Sequence, residues 1–285
     1  MGKYRWPMVL GALLVSIGTA WTTTPVLIQS PGHGARLRFD VVRTGTAARG
    51  APARTSRWGR DRFGVMPGPE QGSAAAAEAA NANAVSRNWS GYAATGGRFT
   101  SVSAAWTQPA VTCTAQDTFS GFWAGLDGDE TQSAEQTGTQ ADCNGGIAAY
   151  SGWFEMFPAA QVVYDSPVRP GDAMTASVTT SGTGTFTLTL TDQTQGWNQV
   201  TTQTSATAER RSAEVIAEAP GSTTVVPLAD FGTVNFTAAT VNGAPIGNAH
   251  LSPISMVSAD GVTKATPSVL RGGNAFSVTW HSNGA

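Results

Sequence analysis

Apolar and polar residues alternate over several short stretches in the C-terminal two-thirds of the chain. The pattern is regular at positions 174–178, 185–191 and 276–280, where Met, Ala, Val, Phe, Leu and Trp alternate mainly with Thr and Ser. A period of two places the apolar side chains on one face of a β-strand. Thr suits the outward face of a pleated sheet. These stretches therefore predict half-buried strands.

Clusters of Gly, Pro, Asn and Asp separate the alternating stretches, as at 166–172, 219–221 and 241–243. Such residues favour tight turns. No stretch in this part of the chain has the period of an amphipathic helix. Strands joined by short turns predict an all-β fold, an antiparallel β-sandwich of two packed sheets. We assign this domain to residues 85–285.

The N-terminus has the pattern of a secretory signal peptide at 1–20. Lys3 and Arg5 precede an apolar run that ends near the small residues Gly18 and Ala20. A retained membrane anchor is the alternative, although the run is shorter than the roughly 20 residues that span a bilayer. The signal peptide predicts a secreted, extracellular product with no membrane contact in its mature form.

Charge is divided unevenly along the chain. The 17 basic and 19 acidic residues give a net charge of −2, which provides no field to attract nucleic acid. Residues 1–87 alone have a formal net charge of +7, and residues 88–285 have a formal net charge of −9. The Arg-rich and then Ala-rich segment 21–84 is therefore predicted to be a basic propeptide and linker that binds the acidic domain. A merely disordered extension is the alternative.

Two cysteines, Cys113 and Cys143, lie in the acidic domain. An even number of cysteines in a secreted chain predicts a disulfide, with two separate thiols as the alternative. Asn88-Trp89-Ser90 and Asn235-Phe236-Thr237 also fit the glycosylation triplet.

Most hydrolytic motifs are missing from the acidic domain. It has no His-Glu-x-x-His motif for zinc, no Gly-x-Ser-x-Gly elbow, and only His250 and His281 to assist a nucleophile. Carboxylates, carboxamides and aromatic residues remain, and they are concentrated in three segments: 123–138, 153–158 and 212–220.

Strand alternation groups the side chains of these segments. It places Trp153, Glu155 and Phe157 on one face, and likewise Glu214 with Glu218. A carboxylate beside aromatic rings is partly desolvated, which raises its pKa and suits acid–base chemistry. By pattern alone, the glutamates could instead be solvated and the tryptophans could be core residues.

Six motifs in this domain follow one another in an order that resembles the glutamic peptidase (eqolisin) family, from about Asn88 to the C-terminus. They are Asn88-Trp89-Ser90-Gly91-Tyr92, Phe99-Thr100-Ser101-Val102-Ser103-Ala104, Trp123-x-Gly125-x-Asp127-Gly128-Asp129, Gln136-Thr137-Gly138, Trp153-Phe154-Glu155-Met156-Phe157-Pro158 and Ala213-Glu214-Val215-Ile216-Ala217-Glu218.

The resemblance implies a fold, a catalytic pair and a cleft. The fold is a sandwich of jelly-roll or concanavalin-like type. Gln136 and Glu218 match the catalytic pair, whereas Glu214 matches a glutamate that is not catalytic. The positions expected to line or support the substrate cleft are Trp89, Trp123, Asp127, Glu155 and Phe157. Phe157, Val215 and Pro220 depart from the bulky aromatics of fungal members, so the details of the substrate pocket do not transfer.

The implied chemistry is hydrolysis of a polypeptide by an activated water, with no metal or cofactor. Glu218 would take the water proton and return it to the leaving nitrogen. Gln136 would donate a hydrogen bond to the developing oxyanion. We expect a secreted, monomeric, pepstatin-insensitive acid endopeptidase that works at about pH 2 to 5.

Two other functions remain open at this point. Glu155 and Glu218 could form the carboxylate pair of a jelly-roll glycoside hydrolase, which needs a separation of roughly 5 to 10 Å. Exposed tryptophans could instead serve a carbohydrate-binding β-sandwich without catalysis.

Overall fold

The structure, a computed structural model, describes residues 84–129, 131–221 and 225–284. The predicted signal peptide and residues 21–83 of the predicted propeptide and linker lie outside the described residues. The described part of the chain contains β-strands and one short 3-10 helix, and no α-helix. The all-β prediction is confirmed. None of the described helical segments is long and apolar enough to cross a membrane.

The strands, in chain order, have the following bounds: β1 (Ala84–Ser86), β2 (Trp89–Thr95), β3 (Ser101–Thr107), β4 (Gly121–Leu126), β5 (Ala134–Asn144), β6 (Ile147–Phe157), β7 (Val162–Val163), β8 (Ala173–Thr180), β9 (Thr185–Asp192), β10 (Trp197–Thr204), β11 (Ala213–Glu218), β12 (Thr233–Val241), β13 (Ala244–Pro245), β14 (His250–Val257), β15 (Thr263–Pro267) and β16 (Phe276–Trp280), with the 3-10 helix at Ile246–Asn248.

Hydrogen bonding connects the strands in the order β10-β9-β8-β3-β12-β16-β15-β14-β2-β11-β4-β5-β6-β7, all antiparallel. β1 adds to β14 in parallel. The two halves of this path pack face to face through β3, β8 and β9 on one side and β4 and β5 on the other. This arrangement is a β-sandwich, since the large sheet is not closed into a barrel.

The main core lies between the two halves and contains the apolar faces that alternation predicts. The inward residues of β8, β9 and β4 are all buried there: Met174, Ala176, Val178, Phe186, Leu188, Leu190, Phe122, Ala124 and Leu126. The turns also form where Gly and Asn predict them. Gly171, Asn242 and Gly243 have φ values of 89°, 49° and 75°, a backbone conformation that Gly and Asn adopt readily.

The half of the sandwich formed by β2, β11, β4, β5 and β6 is also covered on its other face. A second apolar cluster lies there: Trp89, Ala93, Trp123, Ala134, Trp153, Ile216 and Ile254, with Phe157 packed against it. Burial on both faces explains why every residue of β4 and β11 is buried. The carboxylate-bearing motifs lie on the face that carries this second cluster.

One glycine allows β4 and β5 to approach closely beneath Trp123. Gly138 pairs with Trp123, and a Cβ at this position would lie 2.1 Å from the Phe122 carbonyl oxygen and 2.6 Å from the Trp123 Cβ. Any side chain would push the two strands apart, so the Gln-Thr-Gly motif requires its glycine for strand packing.

The predicted disulfide is confirmed. Cys113 and Cys143 are bonded, with an Sγ–Sγ distance of 2.02 Å. The bond joins the loop after β3 to the end of β5, the strand that also carries Gln136. Backbone hydrogen bonds between Thr118 and Cys143 hold the same region.

Candidate functional site

Four adjacent strands bring one carboxamide and several carboxylates onto the same face of the sheet. Gln136 on β5 pairs in register with Glu155 on β6 and with Gly125 on β4. Gly125 in turn pairs with Glu214 on β11. Because side chains directly opposite each other in an antiparallel pair share a face, this row places Gln136 between Glu155 and the bare backbone of Gly125.

Glu218 lies at the end of β11 on the same face, opposite Trp89 on β2 and Gly121 on β4. Its side chain is buried. The Trp123 indole Nε1 donates a hydrogen bond of 2.8 Å to Oε2 of Glu218. The Asn88 Nδ2 donates one of 3.2 Å to Oε1. Each carboxylate oxygen therefore has its own donor, which fixes the orientation of the group.

Gln136 is held by Glu155. Its Nε2 donates a hydrogen bond of 2.6 Å to Oε2 of Glu155. Both side chains are buried. The other oxygens, Oε1 of Gln136 and Oε1 of Glu155, accept no hydrogen bond from the described residues. One hydrogen of the Gln136 NH2 group is thus committed to Glu155.

Burial dominates the electrostatics of the site. It raises the pKa of Glu218 to about 7, and the hydrogen bonds from Trp123 and Asn88 oppose this rise. The Trp89 indole N–H also lowers this pKa, although it forms no hydrogen bond. Burial likewise raises the pKa of Glu155 well above its ordinary value, and the nearby Glu218 charge raises it further.

Glu218 and Glu155 therefore interact as like charges, and one of them ionises first. Glu218 has two N–H donors that stabilise its charged form, whereas Glu155 has the single donor from Gln136. The first ionisation of the pair belongs to Glu218. This leaves a carboxylate at Glu218 beside a neutral Glu155.

The aromatic residues predicted for the site surround this pair. Trp89 packs edge-on against Trp123, with ring centroids 5.1 Å apart. Phe157 packs half-buried against the same cluster. Trp123 also contacts the carboxylate directly, because its indole N–H donates a hydrogen bond to Glu218.

Asp127 is the one predicted substrate-binding residue that lies apart from this group. It follows β4 and its carboxylate is fully buried. The carboxylate accepts backbone hydrogen bonds of 2.7 to 2.8 Å from Glu209, Arg210 and Arg211. Asp127 fixes the segment that leads into β11, so its contacts are those of a supporting residue.

Asn88 was missed as a site residue by sequence reasoning, which noted only its motif and its glycosylation triplet. It is buried, and its amide nitrogen is bonded to Glu218. In the folded protein this nitrogen is therefore not accessible to a glycan, whereas Asn235 is exposed on β12. No local signal could have revealed the contact, since 130 positions separate the two residues.

No group of three or more His, Cys, Asp or Glu side chains within the described ranges is arranged to hold a metal ion.

The fold and the site define a β-sandwich protein with a buried carboxamide–carboxylate centre on one sheet face. The model of one family, the Peptidase A4 family, matches residues 87–280. The chain belongs to this family and is a glutamic peptidase, whose substrates are polypeptides.

Individual relatives agree with this assignment. The chain is 27% identical to aspergillopepsin-2 of Aspergillus niger over 191 residues, which cover 57% of this chain and 67% of that protein. The structure of aspergilloglutamic peptidase from the same organism matches with a TM-score of 0.52 and 27% identity, over 57% of this chain and 99% of that one.

The same fold is present in scytalido-glutamic peptidase, solved with a transition-state analogue inhibitor. It matches with a TM-score of 0.61 and 24% identity, over 68% of this chain and 98% of that one. The peptidase interpretation is confirmed, and it replaces the glycoside hydrolase and carbohydrate-binding alternatives.

The buried carboxyls make the stability of the domain depend on pH. Burial, followed by the charge of Asp127, raises the pKa of Glu135 from 4.5 to about 8. Burial also raises the pKa of Asp142 from 3.8 to about 8. The folded state therefore binds protons that the unfolded state has already lost, so stability falls as pH rises through this window.

We expect the melting temperature to decrease steadily between about pH 5 and pH 8, because each such group costs about 1.4 kcal/mol per pH unit. Thermal unfolding followed across this range measures the slope. Glu135→Gln should make the slope shallower, while Gln203→Ala, on β10 in the other half of the sandwich, should leave it unchanged. A melting temperature that is constant or rises over this range would contradict the expectation.

Proposed function

We propose that this protein is a secreted endopeptidase that cleaves peptide bonds with Glu218 and Gln136. Glu218, as the carboxylate, takes a proton from a water that attacks the scissile carbonyl carbon. The same carboxyl then gives the proton to the leaving nitrogen. Gln136 donates its second amide hydrogen to the oxyanion that forms on the carbonyl oxygen.

One observation carries this proposal. Gln136 and Glu218 lie on one face of one sheet, and Glu155 contacts Gln136 and interacts electrostatically with Glu218. The hydrogen bond to Glu155 fixes the Gln136 amide, so its other hydrogen has a defined direction. The two donors on Glu218 fix the base in the same way. A preorganised donor and base are what peptide hydrolysis needs.

The remaining parts of the proposal come from the sequence. We infer that residues 1–20 direct secretion and that the basic segment 21–84 is a propeptide for the acidic domain. We also infer that the mature enzyme acts as a monomer. Trp89, Trp123, Glu155 and Phe157 would line the cleft for the polypeptide, and Asp127 would support it from outside.

Cleavage of a denatured protein in the presence and absence of pepstatin tests the catalytic class. We expect the same rate in both, because pepstatin addresses a pair of aspartates and this proposal uses a glutamate and a glutamine. Inhibition by pepstatin would contradict the proposed dyad. The Glu218→Gln variant, prepared in the same way, is the control for a contaminating protease, because any cleavage that it shows comes from another protein.

The pH dependence of kcat/KM tests the role of Glu218 as a base. With a pKa near 7, Glu218 is ionised in only roughly one molecule per thousand at pH 4. We therefore expect kcat/KM to rise with pH toward about 7, on the neutral side of the pH 2 to 5 optimum expected from the sequence. Full activity at pH 3 with a decline through pH 7 would mean that protonated Glu218 begins the reaction as an acid.

A further inference from the structure

We propose that Asn88 is a positioning residue for the Glu218 carboxylate, and that Ser86 orients the Asn88 amide for this task. The inference rests on the proposed function, since it gives Glu218 the role of the reacting carboxyl. It adds a second side chain, and through Ser86 the short strand β1, to the structure that holds the base.

Asn88 contacts the end of β11 in two ways. Its Nδ2 donates a hydrogen bond of 3.2 Å to Oε1 of Glu218. Its backbone carbonyl accepts a hydrogen bond of 2.8 Å from the backbone amide of Ala219, the residue that follows Glu218. Asn88 is only 2% exposed and Glu218 only 4%. Backbone and side chain together therefore fix the distance between the Asn88 amide and the carboxylate.

Ser86 determines which end of the Asn88 amide faces Glu218. Its Oγ donates a hydrogen bond of 3.0 Å to Oδ1 of Asn88. The same Oγ accepts from the backbone amides of Trp89 and Asn88, at 3.1 and 3.3 Å. With Oδ1 bound to a hydroxyl donor, the NH2 end points to the carboxylate. The opposite orientation would place two oxygens against each other.

β1 holds Ser86 in place. This strand pairs in parallel with β14, with Ala84 opposite Ile254 and Ser86 opposite Met256. A connected path therefore runs from β14 through Ser86 and Asn88 to Glu218. Trp123 holds the other carboxylate oxygen from β4, so the two donors come from opposite sides of β11.

The chemical effect of the Asn88 donor follows from its charge preference. An N–H group stabilises an ionised carboxylate more than a neutral one, which opposes the desolvation that burial imposes. The titratable group that faces Glu218 from β6 is Glu155, which acts in the reverse sense as a like charge. Loss of the Asn88 donor should therefore leave Glu218 harder to ionise and less fixed in direction.

The test compares kcat/KM against pH for the processed enzyme and its Asn88→Leu and Ser86→Ala variants. The rise of kcat/KM with pH follows the ionisation of Glu218, and we call this rise the Glu218 limb. We expect Asn88→Leu to move the limb upward by about one pH unit, since a hydrogen bond to a charged group is lost. Ser86→Ala should move the limb in the same direction by a smaller amount. The Asn88 side chain remains in this variant, but its amide group can rotate because the hydrogen bond from Ser86 is lost. Asn235→Leu, at the exposed asparagine of β12, is the matched control and should leave the limb in place.

A purely structural role for Asn88 would lower activity and melting temperature without moving the limb, and that outcome would overturn the inference. If Asn88→Leu does not fold, Ser86→Ala decides, because it preserves the Asn88 side chain; an unchanged limb in that variant also overturns the inference. Glu218→Gln separates the two proposals. An active Glu218→Gln enzyme contradicts the proposed function itself, whereas an inactive one with an unchanged limb in the Asn88 and Ser86 variants contradicts the inference alone.

Discussion

Glu218→Gln is expected to abolish detectable peptide cleavage, with a loss in kcat of roughly 10² to 10⁴-fold or more, the contribution of a positioned acid–base group. Glutamine has nearly the same shape as glutamate and can still accept the Trp123 hydrogen bond, although its NH2 group cannot accept the one from Asn88. It cannot take a proton from water at any pH of interest. The loss would therefore reflect the missing base and not a collapsed site.

Glu214→Gln is the matched control for this experiment. Glu214 lies on the same strand and face, is equally buried, and also has a pKa raised by burial. Because the raised pKa keeps the Glu214 carboxyl protonated, the Glu214→Gln change replaces one neutral group with another of similar size. We expect both variants to fold, as measured by their melting temperatures, and only Glu218→Gln to lose cleavage of a denatured protein substrate. Equal activity of both variants would contradict the assignment of Glu218 as the base.

Gln136→Ala is expected to lower kcat by roughly 10² to 10³-fold, the typical effect of removing one oxyanion donor. The change also removes the hydrogen bond of 2.6 Å that Glu155 accepts from Gln136. KM should change much less than kcat, because the lost interaction strengthens only as charge develops on the carbonyl oxygen. Steady-state kinetics on a defined peptide separates the two parameters.

Gln203→Ala provides the control for this change, since Gln203 lies on β10 in the other half of the sandwich. It should leave kcat and KM unchanged. If Gln136→Ala retained a kcat within threefold of the unaltered enzyme, another group would have to stabilise the oxyanion. A rise in KM alone would make Gln136 a residue that binds substrate and takes no part in the reaction.

The two effects differ in their relation to pH. Glu218 changes its protonation state near pH 7, so the activity that depends on it follows its ionisation. The Gln136 amide does not titrate, so its removal should lower the whole profile without changing its shape. A Gln136→Ala profile that is lower but unchanged in shape, beside a Glu218→Gln variant that is inactive at every pH, therefore distinguishes the oxyanion donor from the base.

Several features of this protein follow from the sequence because they depend on neighbours along the chain. Alternation placed Glu214 and Glu218 on one face of β11, and in the structure Val215 and Ala217 lie on the opposite face, in the main core. The turn residues marked the ends of strands, and two cysteines could form only one intramolecular bond. The six ordered motifs were sufficient to indicate the family.

Alternation could not distinguish Glu214 from Glu218, which share a strand and a face. Their difference arises from other strands, since Trp123 on β4 and Asn88 just before β2 both donate to Glu218. In the same way, the resemblance placed Asp127 among the residues that line or support the cleft, and only the structure shows that its carboxylate accepts hydrogen bonds from the backbone of a segment more than 80 positions away.

The sequence by itself thus determined the all-β class, the faces of the side chains in several alternating strands, the expectation of a disulfide and the family. Only the tertiary structure decided which donors reach each carboxylate, that Glu155 interacts with both Gln136 and Glu218, and that Asn88 belongs to the site. The physical reason is the range of the interactions. A side chain's face is fixed by the local backbone, whereas its partners and pKa depend on the order and register of strands that are distant in the chain.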